Sequence, residues 1–187
     1  MLDKSILYAD FWMVLPAEKT ILDFPLKTDF SLEFYQKGDE KDWCEIETSV
    51  LEFDQPEAAL TYFEKTFLPY PDELNRRMLF VENAKGEKIA TCTGWMKTLN
   101  DGRTVPQFHW LAVKPEYSGQ GLAKTLVSQI CQELRKIYPD QSIYLHSQTW
   151  SKPAVFLYRK FGFEIMPTDL NGNQNEDYEK ALKILDL

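Results

Sequence analysis

Residues 107–138, QFHWLAVKPEYSGQGLAKTLVSQICQELRKIY, constrain the fold more than any other stretch. An apolar run over 108–113 reads as a buried strand ended by Lys114-Pro115, and a long amphipathic pattern begins after Gly121. Leu122, Leu126, Ile130 and Leu134 recur at i+4 with Val127, Cys131 and Ile137 beside them, which predicts a helix with one stripe against a sheet. Lys124, Gln132, Glu133, Arg135 and Lys136 then face outward. Between strand and helix lies Ser118-Gly119-Gln120-Gly121-Leu122-Ala123. Two glycines at i, i+2 ahead of a helix allow backbone N–H groups to converge on an anion. The helix N-terminus adds about 0.3–1 kcal/mol for a negative charge. A pyrophosphate suits such a place, although a tight turn and a plain helix start use the same residues.

A nucleotide-binding P-loop needs Gly-x-x-x-x-Gly-Lys-Ser/Thr. Lys124-Thr125 supply its end, but Ser118 and Ala123 stand where the glycines belong. The P-loop reading therefore fails on its own spacing.

The run LAVKPEYSGQGLAKTLV resembles the acyl-CoA-binding motif of the GNAT superfamily of N-acetyltransferases, Gln/Arg-x-x-Gly-x-Gly/Ala after a strand ending in an apolar-x-Val-x-Pro pattern. Gly121 and Ala123 match, and Ser118 replaces the usual Gln or Arg. Further on, SKPAVFLYRKFGFE is similar to the family's later motif, with Ala154, Tyr158, Gly162 and Phe163 in register and Ser151 where Asn is usual. The resemblance is clear over residues 75–165. It implies an α/β (α+β) fold: a mixed, mainly antiparallel central sheet with a splayed parallel strand pair, flanked by helices, in one GNAT-like domain over 1–187.

It also implies acetyl transfer from acetyl-CoA, as cosubstrate, to a primary amine on a small molecule or peptide. By resemblance the backbone of Leu111, Ala112 and Val113 holds the pantetheine arm, and Ser118, Gly119, Gln120, Gly121, Leu122, Ala123 and Lys124 hold the pyrophosphate. Ser151 joins the cofactor-binding set, and Tyr158 corresponds to the general acid. The base is less direct, because Gln107 stands where many members carry Glu. The strand FHWLAV resembles the LHALAV-type strand of arylalkylamine N-acetyltransferases, which nominates His109; an imidazole titrating near ~6.5 suits the task. Either aromatic or histidine could equally be a packing residue. By the same resemblance an early helical pair forms the acceptor wall, giving Trp43, Phe67 and Tyr70 a role there beside ordinary packing. The alternative function is a non-catalytic acyl-CoA-binding or sensing module.

Length and composition agree with these expectations. A chain of 187 residues with 44% hydrophobic and 14% aromatic residues is globular and large enough for a proper core. A net charge of −8 argues against nucleic acid as partner. Cys44, Cys92 and Cys131 fit neither a zinc pattern nor a disulfide framework, and with two histidines no metal site is expected. The apolar segment ILYADFWMVLPA is interrupted by Asp10 and poorly flanked by positive charge, so it does not read as a signal sequence. No run approaches the roughly 20 apolar residues of a membrane span, and the expected location is the cytoplasm.

Elsewhere the pattern predicts a strand over 31–36, helices over 39–53 and 57–67, and a stiff loop at 68–71. A hairpin over 77–82 and 88–96 follows, then a strand over 141–147, a helix over 151–161, a short strand over 163–166 and a terminal helix. Residues 1–28 carry no assignable pattern, being an extra strand, a packed arm or a homodimer contact.

Overall fold

A computed structural model describes residues 2–187; Met1 lies outside the described residues. Seven strands form one sheet in the order β2-β3-β4-β5-β6-β1-β7. They are β1 (Asp10–Leu15), β2 (Phe30–Phe34), β3 (Met78–Asn83), β4 (Lys88–Thr98), β5 (Thr104–Val113), β6 (Ile143–Gln148) and β7 (Glu164–Ile165). The helices are α1 (Glu40–Ser49), α2 (Pro56–Thr66), α3 (Pro71–Arg77), α4 (Leu122–Ile137), α5 (Lys152–Lys160) and α6 (Tyr178–Leu185). β1–β6, β1–β7, β2–β3 and β3–β4 pair antiparallel. β5 and β6 run parallel, registered at Gln107↔Tyr144, with β5 continuing past that pair to Val113. This is the mixed, mainly antiparallel sheet expected, with its one parallel pair joined through α4.

The chain falls into two compact units. One comprises Asp23–Gly94 and Trp110–Ile130, the other Leu2–Leu22, Trp95–His109 and Cys131–Leu187. In the first, α1 and α2 pack a core around Trp43, Ile46, Ala59, Phe63 and Phe67, all fully buried. The first half of α4 buries Leu122, Leu126, Val127 and Ile130, as its i+4 stripe requires. α3 fills the stretch that the sequence pattern leaves unassigned between the loop at 68–71 and the strand from 77, and takes one residue from each. Pro71 sits at the first helical position, Asp72 and Glu73 follow in the first turn, and Arg76 and Arg77 end the helix. That order complements the helix dipole, and Glu73 pairs with both arginines.

In the second unit, β1 answers the question left by the N-terminal segment: it is a strand between β6 and β7, with Trp12↔His146 and Met13↔Ile165 in register. Phe11, Met13 and Leu15 are buried, whereas Trp12 and Val14 are half-buried. Because both faces are apolar, the segment shows no two-residue alternation from which a strand could be read. α5 begins after Ser151, which makes no side-chain capping bond. It ends at Gly162, whose φ of +92° lets the chain turn back so that the Phe163 amide reaches the Tyr158 carbonyl at 3.1 Å.

Candidate active site

The loop ahead of α4 forms first as a single turn of 3-10 helix, Pro115–Tyr117, closed by the Ser118 amide on the Pro115 carbonyl at 3.1 Å. Gly119 and Gly121 then adopt φ of +79° and +91°, a region that side chains with a Cβ avoid. Nothing lies within 4 Å of a Cβ built at either position, so backbone angle rather than lack of room makes glycine necessary. The amides of Lys124 and Thr125 bond the Gly121 carbonyl at 3.0 and 3.2 Å. Among the described residues, the amides of Gly119, Gln120, Gly121, Leu122 and Ala123 have no recorded acceptor outside the helix, which leaves a run of donors at the positive end of a sixteen-residue helix. Such a run is a ready anion site.

Beside it lies a cleft of about 110 Å³ lined by Phe24, Pro25, Leu26, Lys27 and residues of the loop and first turn, including Gln120, Lys124 and Thr125. The Ser128 hydroxyl accepts the Phe24 amide at 3.3 Å and so fixes this wall along α4. The Lys124 ammonium stands 5.8 Å from the Phe24 ring centroid. Residues 24–27 were among those without a readable pattern, because a proline-broken segment shows no period.

Leu111, Ala112 and Val113 end β5, with Ala112 buried and the other two half-buried. The strand is not regular before them. Trp110 has φ of +50°, and burial along 106–113 does not alternate. The geometry in which His109 and Leu111 share a face through strict alternation therefore does not follow. Trp110 instead joins the α1–α2 wall: its indole N–H donates to the Tyr62 hydroxyl at 3.2 Å, and its ring lies 5.4 Å from both Trp43 and Phe53. Trp43 also touches Tyr62, Phe63 and Phe67. Of the three residues nominated for this wall, Trp43 and Phe67 are fully buried in the cluster and Tyr70 is largely exposed.

His109 and Tyr158 both belong to the second unit. His109 keeps a little accessible surface yet is surrounded by protein. Burial, with smaller contributions from His146 and Lys97, pushes its pKa down to about 3. The expected titration near neutrality is thus corrected: a charged imidazole would lose its water there. His146 is exposed, with Nε2 2.9 Å from the Asp10 carboxylate. Tyr158 is 7% exposed on α5, its ring edge-on to Phe108 at 5.5 Å and 5.9 Å from Phe163. Among the described residues no group of three His, Cys, Asp or Glu side chains is placed to hold a metal ion, and no helix is long and apolar enough to cross a membrane.

The family model of the GNAT acetyltransferases matches residues 40–163. A mycothiol acetyltransferase from Thermobifida fusca is 28% identical over 141 residues, which are 71% of this chain and 42% of that protein. Among solved structures, a GCN5-related N-acetyltransferase from Sphaerobacter thermophilus superposes with a TM-score of 0.64 at 15% identity, covering 86% of this chain and 49% of that one. The ribosomal-protein-S18-alanine N-acetyltransferase from Escherichia coli superposes with a TM-score of 0.53 at 19% identity, covering 71% and 76%. The chain thus spans less than half the length of the curated relative it matches. The family match takes in β5, the two-glycine loop, α4 and α5, and the chain belongs to the GNAT acetyltransferase family.

Proposed function

We propose that this protein transfers the acetyl group of acetyl-CoA to a primary amine by direct attack. The observation that carries the reading is the run of amides from Gly119 to Ala123 at the start of α4, which have no acceptor outside the helix among the described residues. With Ser118 and Lys124 they would take the pyrophosphate, while the backbone of Leu111, Ala112 and Val113 would hold the pantetheine amides. The Leu111 N–H is the natural donor to the thioester oxygen, where negative charge gathers as nitrogen attacks. Ser151, at the start of α5, completes the cofactor set. The family match covers parts of both compact units, which supports one GNAT-like domain over 1–187.

As the C–S bond breaks, the departing thiolate, with a pKa near ~8.5 by analogy with cysteine, needs a proton. Tyr158 supplies it as general acid. The incoming amine must shed one, since its free pKa is near ~10.4. His109 is neutral at every working pH but too weakly basic to keep that proton. Its role is to accept a hydrogen bond from the attacking nitrogen or a bridging water, along which the proton shed as the C–N bond forms passes to solvent. None of the three buried cysteines is called on as a nucleophile, and buried thiols suit a reducing cytoplasm.

The test has two arms. Acetyl-CoA at 100 times its dissociation constant should stabilise the fold by about 2.7 kcal/mol. Thiol release in the presence of a primary amine should then exceed release without one. No thermal shift at millimolar CoA would overturn the reading, and a shift without amine-dependent turnover would leave a binding module.

A further inference from the structure

Glu47 has no part in the chemistry above, and its surroundings point to a ligand. It lies on α1 with its side chain fully buried, yet neither carboxyl oxygen has a hydrogen-bond partner among the described residues. Buried carboxyls in proteins ordinarily have such partners, and one without them costs stability until something completes it. Two further buried polar atoms on the same helix, Trp43 Nε1 and Thr48 Oγ, also lack partners. Burial, followed by the nearby charge of Glu52, raises the Glu47 pKa well above that of a free carboxyl, which favours the protonated form while nothing is bound beside it. A cation brought beside it would reverse that.

Position says which cation. Glu47 stands one turn beyond Trp43 on one helix face, and the Trp43 ring meets Phe53, Tyr62 and Trp110 at 5.4–6.2 Å. Trp110 immediately precedes Leu111, the residue assigned to the thioester oxygen. Aromatic faces attract an organic cation and also shelter its apolar body.

We propose that Glu47 is the charge partner of the acceptor's ammonium group, and that the rings of Trp43, Phe53, Tyr62 and Trp110 select small primary amines carried on an apolar body. The inference rests on an amine acceptor and narrows its class. On entry of the ammonium, Glu47 gives its carboxyl proton to solvent and pairs as a carboxylate. Before attack the ammonium hands one N–H proton to that carboxylate, leaving nitrogen with a free lone pair and Glu47 neutral again; the second proton, which nitrogen sheds as the C–N bond forms, is the one that leaves past His109.

The experiment measures binding without acetyl-CoA. 2-Phenylethylamine and its uncharged analogue 2-phenylethanol are titrated into the native chain and into Glu47→Gln, followed by indole fluorescence. Gln copies the shape of a protonated Glu, and Glu47→Asp serves as the conservative rescue. The amine should bind at least tenfold more weakly to Glu47→Gln, with affinity recovering in part in Glu47→Asp, while the alcohol binds all three alike. Calorimetry of the native chain at pH 6, in two buffers of different ionisation enthalpy, should show close to one proton released per amine bound. Equal amine affinity in the native and Gln chains, equal loss of amine and alcohol, or no proton release from the native chain each overturns the proposal. The last needs no variant to fold. Glu47-dependent amine binding without any acetyl transfer would sink the transferase reading and leave this one standing. Transfer to amines with an unchanged KM in Glu47→Gln would do the opposite.

Discussion

The loop before α4 and the wall made by α1, α2 and Trp110 belong to the same compact unit but are built from different material. The loop offers backbone: five amides, two glycines at positive φ, and side chains at Ser118, Gln120 and Ala123 that matter little to its shape. The wall offers side chains, with five aromatic rings against Trp43 and the buried Glu47 one turn further along α1. A backbone site shows in a sequence as a spacing of glycines, because φ near +80° excludes other residues. A side-chain wall shows only as aromatic residues, which any core would use. In the function proposed above, the cofactor would sit on the first and the acceptor would be chosen by the second.

The comparison is broken most sharply at Trp43. Trp43→Ala removes a fully buried indole that touches five other rings, and should cost about 3–5 kcal/mol in urea unfolding. If the wall and the loop are separable, the variant that remains folded keeps its stabilisation by CoA. Gly121→Val attacks the other side. It should lose the whole CoA-dependent stabilisation of about 2.7 kcal/mol, while the ligand-free fold loses only about 1–2 kcal/mol from the strained φ. An unaltered CoA shift in Gly121→Val would remove the pyrophosphate from this loop.

Tyr158→Phe keeps the ring that packs on Phe108 and Phe163 and deletes the hydroxyl. Turnover should fall at least tenfold, about 1.4 kcal/mol of barrier, with CoA affinity unchanged. Parent-like turnover would make Tyr158 a packing residue. The smallest effect at neutral pH belongs to His109→Gln. The folded pKa of about 3 lies below the unfolded ~6.5. The associated stability is thus fully present above pH 6.5 and lost as pH falls toward 3, where the unfolded chain takes up a proton that the folded chain refuses. His109→Gln should lack this acid loss in thermal melts from pH 7 to pH 4, and the native rate profile should carry no inflection from His109 near pH 6.5. A clear inflection there, absent from the variant, would restore a titrating base.

What could be read beforehand divides along the same line. The α4 stripe, the β5 run and the β3–β4 hairpin came through because period and turn residues agree with the fold at each. α3 was missed although PDELNRR carries a proline start, an acidic first turn and a basic end, because the prolines at 69 and 71 read as a loop. β1 stayed one of three alternatives for the N-terminal segment because both of its faces are apolar. Trp110, one residue from the predicted pantetheine strand, was passed over because its turn into the α1–α2 wall depends on a single left-handed residue that no local pattern requires.

The sequence by itself determined the strand–loop–helix unit, the glycine conformations and the family, since each rests on local backbone preference or short-range spacing. Tertiary structure alone decided that β1 pairs between β6 and β7, that burial pushes the His109 pKa far down, and that the Glu47 carboxyl is enclosed without a hydrogen-bond partner among the described residues. Each of these depends on what distant chain segments remove from water, and desolvation is a property of the packed molecule rather than of any run of residues.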